Sequence, residues 1–356
     1  MAAGQTQRSE QADFRLVTLA EGLNHPWGLA FLPDGAILIT ERPGRLRLFR
    51  DGELQAGAIG GTPEVAARGQ GGLLDVALHP DFADNGYVYF SYAGAANGKA
   101  GTEVARARFD GRALEDLDVI FRASPKTPGA AHYGSRLVFG ADGSLYVSLG
   151  DRRNYMKEAQ NLGSHLGSII RLKDDGSVPE DNPFVADKAA LPEIFSYGHR
   201  NVQGLTLRPG TGEIWAHEHG PRGGDEVNLL KAGANYGWPA ISYGIDYSGA
   251  IITDRTAAPG MEQPVIYWDP SIAPSGMAFY DGDRFPNWTG DLFVGALAQR
   301  HLRRLEMDGQ RVVGQEVLLD GLGERIRDVR SGPDGGLYLL TDSGNGRLLR
   351  LEPAGD

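Results

Sequence analysis

The chain repeats one pattern of hydrophobic and polar positions about six times. Each copy has an apolar run, a short turn rich in Pro, Asp and Gly, and a second apolar or aromatic run. β-branched and aromatic residues favour strands, and Pro, Asp and Gly adopt the backbone angles of tight turns, so each copy predicts a β-hairpin. The copies lie at residues 28–40, 74–91, 135–151, 204–218, 276–295 and 329–342.

The spacing of the copies predicts the fold. A period of roughly 50–70 residues is typical of a β-propeller and too long for a small solenoid. We therefore predict an all-β fold, a six-bladed β-propeller with four-stranded antiparallel blades. A further strand-like segment, FRLVTLAEGL (14–23), is expected to pair with the last blade near residues 345–352 and to close the ring without a free sheet edge.

Length and composition indicate a single domain. The 356 residues include 51 glycines and 20 prolines, which suits many short strands and turns, and hydrophobic residues occur along the whole length. Propellers often exceed the usual domain size as one unit. We expect residues 13–356 to form one propeller domain and residues 1–12 to form a flexible N-terminal segment.

Composition also excludes several classes of function. The chain has no cysteine, which excludes disulfides, thiolate metal sites and a thiol nucleophile. A formal net charge of −11 argues against general nucleic-acid binding, since binding to phosphates needs a basic face. No apolar run approaches the roughly 18 residues of a membrane span. Residues 1–12 lack the apolar core of a signal peptide, so we expect either a cytoplasmic protein or one whose leader has been removed.

Polar and charged residues concentrate at the predicted strand ends. In a propeller, such loops converge on one mouth of the central channel, so we expect these side chains to meet there. The sequence contains no nucleophile elbow, P-loop or zinc-binding HExxH helix, and its GQGG (69–72) is typical of a tight loop. The polar segments are 68–75, 131–137, 149–154, 197–204, 218–228 and 324–330.

Two of these segments contain candidates for acid–base chemistry. His132 precedes a predicted strand whose hairpin partner ends near Asp151. An imidazole beside a carboxylate is suited to act as a general base in a fixed tautomer. The alternative is a loop histidine that bonds to the backbone.

Other segments contain arginines that could bind an anion. Arg200 and Asn201 follow a predicted strand, and Arg325 and Arg327 are two residues apart, which puts both guanidiniums on one face of an extended segment. Arginines on a common face bind carboxylates or phosphates through paired hydrogen bonds. The alternative for Arg325 and Arg327 is an ion pair with Asp328 or Glu324.

The segment EHGPRGGDEVN (218–228) could be structural or could bind a metal. His217 and His219 form a His-x-His pair that suits a transition metal, whereas Asp225, Glu226 and the glycine carbonyls suit calcium better. A structural role ranks first in our interpretation, calcium second and zinc third.

Taken together and in order, the segments resemble a known family. GQGGLLDVALHPDF, HYGSRLVFGADGSLYVSLGD, EIFSYGHRNVQGL, EHGPRGGDEVN followed by NYGWP, and RIRDV are similar to the soluble PQQ-dependent glucose and aldose sugar dehydrogenases. The resemblance runs from Leu23 to Pro353, and EHGPRGGDE and YGIDYSG (243–249) favour the bacterial aldose sugar branch. It implies a six-bladed propeller, periplasmic or secreted, that oxidises aldose sugars at C1 to lactones with PQQ and calcium and passes electrons to an acceptor other than oxygen.

The resemblance also implies roles for individual residues. His132 would take the proton of the anomeric hydroxyl, Asp151 would support His132, and Arg200 would polarise the reacting quinone carbonyl. Calcium would lie against PQQ on carbonyls of Gly220 and Pro221, and a second calcium would use Glu226 and the carbonyl of Tyr236. The implied PQQ contacts are Gln70, Arg200, Asn201, Tyr247, Arg325 and Arg327.

One position departs from the family pattern. The family usually has a lysine where this chain has Ala298, and the nearest cation here is Arg300. Since side chains two residues apart on a strand point to the same side, Arg300 is a candidate substitute. Two other functions stay open: a calcium-dependent propeller lactonase, which would need no arginine clamp, and a binding propeller without catalysis, which would not need His132 beside Asp151.

Overall fold

The repeated pattern forms the two inner strands of each of six blades. The computed structural model describes residues 6–355 and shows a six-bladed β-propeller of antiparallel sheets, as predicted. Before the first blade lie β1 (Thr6–Gln7) and β2 (Phe14–Leu23). Blade I consists of β3 (Pro26–Phe31), β4 (Ile37–Glu41), β5 (Arg45–Arg50) and β6 (Glu53–Leu54). Blade II consists of β7 (Leu73–Leu78), β8 (Tyr87–Ala96), β9 (Lys99–Phe109) and β10 (Leu114–Arg122). Blade III consists of β11 (Leu137–Phe139), β12 (Leu145–Ser148), β13 (Ser168–Leu172) and β14 (Ile194–Tyr197).

The remaining three blades follow the same order from the channel outward. Blade IV consists of β15 (Val202–Leu207), β16 (Ile214–Glu218), β17 (Asp225–Leu229) and β18 (Ile266–Trp268). Blade V consists of β19 (Pro274–Phe279), β20 (Leu292–Ala296), β21 (Leu302–Asp308) and β22 (Arg311–Leu318). Blade VI contains β23 (Ile326–Ser331), β24 (Leu337–Thr341) and β25 (Gly346–Pro353). Short helices are α1 (Phe82–Asn85) and 3-10 turns at Met156–Gln160, Pro286–Trp288 and Asp320–Leu322. No helix within residues 6–355 is long and apolar enough to cross a membrane.

The N-terminal strand closes the ring. β2 pairs antiparallel with β25, from Phe14 opposite Pro353 to Leu23 opposite Gly346, and thereby supplies the fourth strand of blade VI. This confirms the predicted closure. β1 adds to the same sheet through Thr6 opposite Arg15. Residues 1–5 lie outside the described part of the chain, and the flexibility of 1–12 stays a prediction.

The hydrophobic core is divided among the interfaces between blades. Six clusters of buried apolar side chains each lie between two neighbouring blades. Between blades IV and V, for example, the rings of Trp215 and Phe279 meet edge to face with centroids 5.7 Å apart. Full burial of one large apolar side chain is worth about 1.5–3 kcal/mol, so the blade interfaces hold the ring together.

The strand order brings the functional segments to one end of the propeller. In every blade the inner strand begins at this end, which we call the mouth, turns at the Pro/Asp/Gly hairpin, and returns in the second strand. Residues just before an inner strand and just after a second strand therefore meet at the mouth. The convergence of loops predicted from sequence follows from this antiparallel geometry.

The channel side of the inner strands contains a charged cluster. One position recurs as the third residue of five inner strands, and in blade III it directly precedes β11. Glycine occupies three of these positions because a Cβ there would meet a neighbouring side chain; at Gly28 it would lie 2.4 Å from Asp75 Oδ1. The six residues, in blade order, are Gly28, Asp75, Arg136, Gly204, Gly276 and Asp328.

Ion pairs across the channel join blades II, III and VI. The Arg136 guanidinium donates to Asp75 at 3.1 Å and to Asp328 at 2.8 Å, and Arg330 donates to Asp75 at 2.8 Å and to Asp328 at 3.0 Å. The side chains of Arg136, Asp75 and Asp328 are at most 1% exposed. Burial raises the pKa of Asp75 against the opposing effect of the two arginines. Each partner therefore depends on the others to remain charged.

We expect Arg136→Met to lower the free energy of unfolding by about 3–5 kcal/mol, because it leaves two buried carboxylates with a single cation. Guanidinium chloride unfolding followed by circular dichroism measures the change. Arg311→Met is the matched control, since Arg311 pairs with Asp308 at the surface with 77% of its side chain exposed. Equal stability of the Arg136 and Arg311 variants would contradict a stabilising channel cluster.

Candidate active site

A cavity of about 390 Å³ lies at the mouth. We call it the mouth cavity. Four of the residues predicted from sequence line it directly: Gln70, Asn201, Arg325 and Arg327. The other lining residues are His25, Trp27, Arg42, Leu74, Tyr133, Gly134, Gln203, His219, Ala273, Leu297 and Asp342.

His132 and Asp151 form a buried pair beside the mouth cavity. His132 Nδ1 lies 2.7 Å from Asp151 Oδ1, and the two side chains are 8% and 1% exposed. Asp151 also accepts the Trp238 indole N–H at 2.8 Å and the Arg153 backbone N–H at 2.7 Å. A carboxylate held in this way accepts the Nδ1 proton of a neutral imidazole, which leaves Nε2 as the proton acceptor.

Several groups act on the pKa of His132. Burial lowers it from its usual value, and the charges of Arg200 and Arg153 lower it further, while the hydrogen bond to Asp151 raises it. The net direction is downward. His132 is therefore neutral at pH 7 and able to accept a proton, as a general base must be, and its role as the base stays a prediction.

The loop that contains His132 is held by contacts from blade II and from its own blade. His132 N donates to Gln70 Oε1 at 2.7 Å, and Gln70 N donates to Ala130 O at 2.7 Å. Gly69 allows this approach, because a Cβ there would lie 2.5 Å from Ala130 O. GQGG thus forms the tight loop predicted from sequence, and its role is to bring Gln70 against the backbone of His132.

Arg152 fixes the same loop from the other side. Its guanidinium donates to the carbonyls of Ala131 and Gly129, the latter at 3.0 Å, and lies 3.6 Å from the centroid of the Tyr133 ring. The Arg152 side chain is buried although it carries a charge. The sequence alone does not indicate this role, because Arg152 is one of several polar residues in segment 149–154.

Arg200 links the His132 loop to blade IV. Its carbonyl accepts Asp151 N at 2.9 Å, and its guanidinium donates to His219 O at 3.1 Å. The guanidinium also lies 5.4 Å from the Trp238 ring and 5.9 Å from the Tyr247 ring. A cation is thereby held beside the His132–Asp151 pair, where it can stabilise developing negative charge.

Arg325 and Arg327 meet around a carboxylate that the sequence analysis did not identify. Asp342 lies 2.8 Å from Arg327 Nη2, 3.4 Å from Arg325 Nη2 and 3.0 Å from His25 Nδ1. Burial raises the pKa of Asp342, but the charges of Arg327 and Arg325 and the hydrogen bond with His25 outweigh it and hold that pKa well below its usual range. The proposed pairing with Asp328 or Glu324 is wrong, because Asp328 pairs with Arg136 and Arg330, and Glu324 pairs with Arg347.

The residues that the sequence analysis missed occupy the same type of position as those it found. Arg42 and Asp342 directly follow the second strands of their blades, β4 and β24, and Asp151 follows β12 in the same way after two intervening residues. His25 directly precedes the inner strand β3. A search of both ends of every repeat copy for charged residues would have found them. Polar segments alone pointed to blades II to IV and to the start of blade VI.

The four residues predicted to bind metal line one small cavity next to the mouth cavity. Gly220, Pro221, Glu226 and Tyr236 surround a space of about 10 Å³ together with Glu218. Glu218 and Glu226 are directly opposite on β16 and β17, and burial together with the Glu218 charge raises the pKa of Glu226 to about 8. We call this space the Glu218–Glu226 cavity.

The donors around the Glu218–Glu226 cavity are partly engaged. Glu218 accepts from His199 Nδ1 at 2.9 Å and from Arg200 N, and Asp225 caps Gly220 N at 2.8 Å. The Tyr236 hydroxyl donates to Leu229 O at 2.7 Å, so a ligand role for Tyr236 falls on its backbone carbonyl. No group of three or more His, Asp or Glu side chains suited to a metal occurs within residues 6–355.

The two histidines of the His-x-His pair have different surroundings, and only His219 lines the Glu218–Glu226 cavity. His219 Nε2 donates to Pro274 O at 2.6 Å, and burial lowers the pKa of His219 to about 3. His217 is fully buried and packs on Gly204, where a Cβ would lie 2.2 Å from its Nε2. A structural role, ranked first from sequence, is consistent with both contacts.

Two other predicted residues lie outside the mouth cavity. Tyr247 is 60% exposed at the rim, with the guanidiniums of Arg153 and Arg200 each 5.9 Å from its ring. Arg300 is exposed, and its Nη1 donates to Gly323 O at 3.1 Å. Arg300 therefore contributes no charge to the cavity wall, and the cation expected near Ala298 has to be sought elsewhere.

Comparisons with known proteins identify the family of the chain. The model of the Glucose / Sorbosone dehydrogenase family matches residues 23–350. The sequence is 45% identical to aldose sugar dehydrogenase YliI of Escherichia coli over 348 residues, which cover 96% of this chain and 94% of that protein.

Solved structures are similar over nearly the whole chain. A crystal structure of glucose dehydrogenase is 51% identical with a TM-score of 0.92, covering 94% of this chain and 98% of that chain. The PQQ-bound form of aldose sugar dehydrogenase from Streptomyces coelicolor is 30% identical with a TM-score of 0.78, covering 97% of this chain and 99% of that chain.

Proposed function

Because the chain belongs to the Glucose / Sorbosone dehydrogenase family, we propose that it is a PQQ- and calcium-dependent dehydrogenase that oxidises aldose sugars at C1 to lactones. Electrons pass to an acceptor other than oxygen. The observation that carries the proposal is a buried His132–Asp151 pair beside a cavity lined by guanidiniums. The periplasmic or secreted location implied by the resemblance belongs to the same proposal.

The residues of the mouth cavity fit PQQ. PQQ has three carboxylates, and Arg42, Arg325 and Arg327 line the cavity around the single carboxylate of Asp342. The Nε atoms of Arg42 and Arg327 are buried without a hydrogen-bond partner among the described residues. The volume of about 390 Å³ lies within the range of about 300–1,000 Å³ that is typical of small-molecule sites.

The residues around the cavity are suited to sugar oxidation. When bound, PQQ accepts the hydride that leaves C1 of the sugar. His132 Nε2 takes the proton of the anomeric hydroxyl, and Asp151 stabilises the resulting imidazolium through Nδ1. Arg200 holds a positive charge beside the site and favours the negative charge that develops there. The sugar loses one hydride and one proton, which gives the lactone.

Calcium binding is proposed for the Glu218–Glu226 cavity and the adjoining carbonyls of Gly220 and Pro221. Two opposed carboxylates in a buried space repel each other, and the raised pKa of Glu226 reflects its burial and, second to that, the charge of Glu218. A divalent cation would displace the proton of Glu226 and neutralise the two carboxylates together. Calcium binds carboxylate and carbonyl oxygens in irregular geometry. This donor set therefore suits calcium better than zinc.

We expect calcium to raise the thermal midpoint of the purified protein. A ligand at about 100 times its Kd stabilises the folded state by about 2.7 kcal/mol. The shift should be lost in Glu226→Gln, which removes one of the two facing carboxyl groups, and retained in Glu262→Gln, whose carboxylate pairs with Lys231 at the surface. Differential scanning calorimetry with calcium and with EDTA measures it, and an equal shift in both variants would refute the assigned site.

One experiment tests the proposed function as a whole. Purified protein is supplied with PQQ and calcium, and aldose-dependent reduction of an artificial dye is measured. Turnover that requires both PQQ and an aldose is the expected result. No turnover with any aldose would favour the lactonase or the binding propeller, and hydrolysis of a lactone without PQQ would identify the lactonase.

A further inference from the structure

The mouth cavity has a third guanidinium that the sequence analysis did not assign. Arg42 lines the cavity together with Arg325 and Arg327, and these three face one carboxylate, Asp342. The cavity wall therefore has an excess of positive charge. A site of this kind is suited to an anion with more than one carboxylate.

The contacts of Arg42 leave part of its guanidinium without a protein partner. Nη1 donates to Gly69 O at 2.9 Å, whereas Nε is buried and has no hydrogen-bond partner among the described residues. Burial lowers the pKa of Arg42, and the charges of Arg327 and Arg325 lower it further, while Asp342 acts in the opposite direction. The Arg42 side chain nevertheless lines the mouth cavity, and an anion bound there would reduce the repulsion among the three arginines.

The backbone of Arg42 is fixed on both sides. Its N–H donates to His25 O at 3.1 Å, and its carbonyl accepts Leu73 N at 3.1 Å. Gly72 is required for this approach, because a Cβ there would lie 2.0 Å from Arg42 O. Arg42 is thus held between blades I and II next to Gln70, and little ordering is needed when a ligand binds.

We propose that Arg42 binds a carboxylate of the cofactor and is the third cation of the site, together with Arg325 and Arg327. The proposal rests on the proposed function, since it takes PQQ as the ligand. Arg300, the nearest cation to Ala298 in sequence, donates to Gly323 O and does not line the cavity. Arg42 supplies the charge that Arg300 was expected to supply.

The test is the affinity for PQQ, measured by equilibrium dialysis with calcium present and no sugar. Arg42→Gln removes the charge and also shortens the side chain, so the contact of Nη1 with Gly69 O is lost as well. A lost charge-assisted contact corresponds to a Kd that is weaker by about 10- to 100-fold. Arg300→Gln is the matched control and should bind like the wild type. The dependence of Kd on salt should also be weaker in Arg42→Gln.

A second variant distinguishes a role of Arg42 in binding PQQ from a role in holding the loop that contains Gly69. Leu297 lines the cavity and Ala298 is the next residue, so Ala298→Lys returns a cation to the same mouth. In the Arg42→Gln background it should recover most of the lost affinity, which it could not do if Arg42 only held Gly69. Wild-type affinity in Arg42→Gln, or loss without recovery in the double variant, would overturn the proposal.

The outcome also distinguishes this proposal from the proposed function. If the wild type takes up no PQQ, the function itself is wrong and the Arg42 proposal is overturned with it. If the wild type binds PQQ and reduces dye with an aldose while Arg42→Gln binds equally well, only the Arg42 proposal is overturned.

Discussion

Replacement of His132 by alanine is expected to lower kcat for aldose oxidation by about 10²- to 10⁴-fold, the usual contribution of a positioned general base. The affinity for PQQ should change little, because His132 adjoins the mouth cavity without lining it. Stopped-flow or steady-state dye reduction measures kcat, and equilibrium dialysis measures the Kd of PQQ. Retained turnover would remove His132 as the base.

The pH dependence gives an independent check on the same residue. Only the neutral imidazole accepts a proton, so kcat/KM should fall as the pH drops through the pKa of His132. Burial lowers that pKa, so the fall should occur below the usual value of about 6.5 for histidine. His79→Ala is the control: His79 follows β7 at the hairpin end of the propeller, far from the mouth in the strand order, and this variant should keep both kcat and the pH profile.

Arg327→Ala is expected to weaken PQQ binding by about 30-fold or more, since truncation of one partner of a buried charge pair costs about 2–5 kcal/mol. Arg327 donates to Asp342 at 2.8 Å and to Gln203 Oε1 at 3.4 Å, and its side chain is 8% exposed. Without the Arg327 guanidinium, Asp342 would keep only Arg325 and His25 as partners, and its negative charge would face the carboxylates of the cofactor.

The matched control for Arg327→Ala uses a second paired arginine of the same blade, Arg347. Arg347→Ala removes a guanidinium that pairs with Glu324 and does not line the mouth cavity, so it should leave the Kd of PQQ unchanged. Apoprotein unfolding should be measured for both variants, because Arg327 also contributes to a buried ion pair. Equal affinity of Arg327→Ala and wild type would refute the arginine clamp.

The parts of the site that could be predicted are those that the repeat itself marks. His132 and Asp151 lie near the two ends of one strand–turn–strand copy, so an antiparallel hairpin is enough to bring them to the same end. Arg325 and Arg327 lie two residues apart on one strand, so a shared face follows from strand geometry. In each case the relation is local, and the residue types indicated the chemistry.

The parts that were missed depend on contacts between blades that are distant in sequence. Asp342 meets His25 from blade I, and Arg42 meets the loop of blade II, so neither partner can be read from its own segment. Arg300 was expected at the cavity from alternation along a strand, but β20 ends at Ala296 and the chain turns before Arg300. The alternation rule does not apply beyond the end of a strand.

The sequence alone determined the number of blades, the hairpin formed by the two inner strands of each blade, and the closure of the ring by residues 14–23. These features depend on the alternation of apolar residues and on turn-forming residues, which act over a few positions along the chain. The tertiary structure decided which charges are paired and which face the mouth cavity. Closure of the ring brings Asp75, Arg136 and Asp328 into one buried cluster and leaves Arg42, Arg325 and Arg327 around a single carboxylate. Ion pairing depends on distance in space and on burial, and both are fixed only when all six blades are in place.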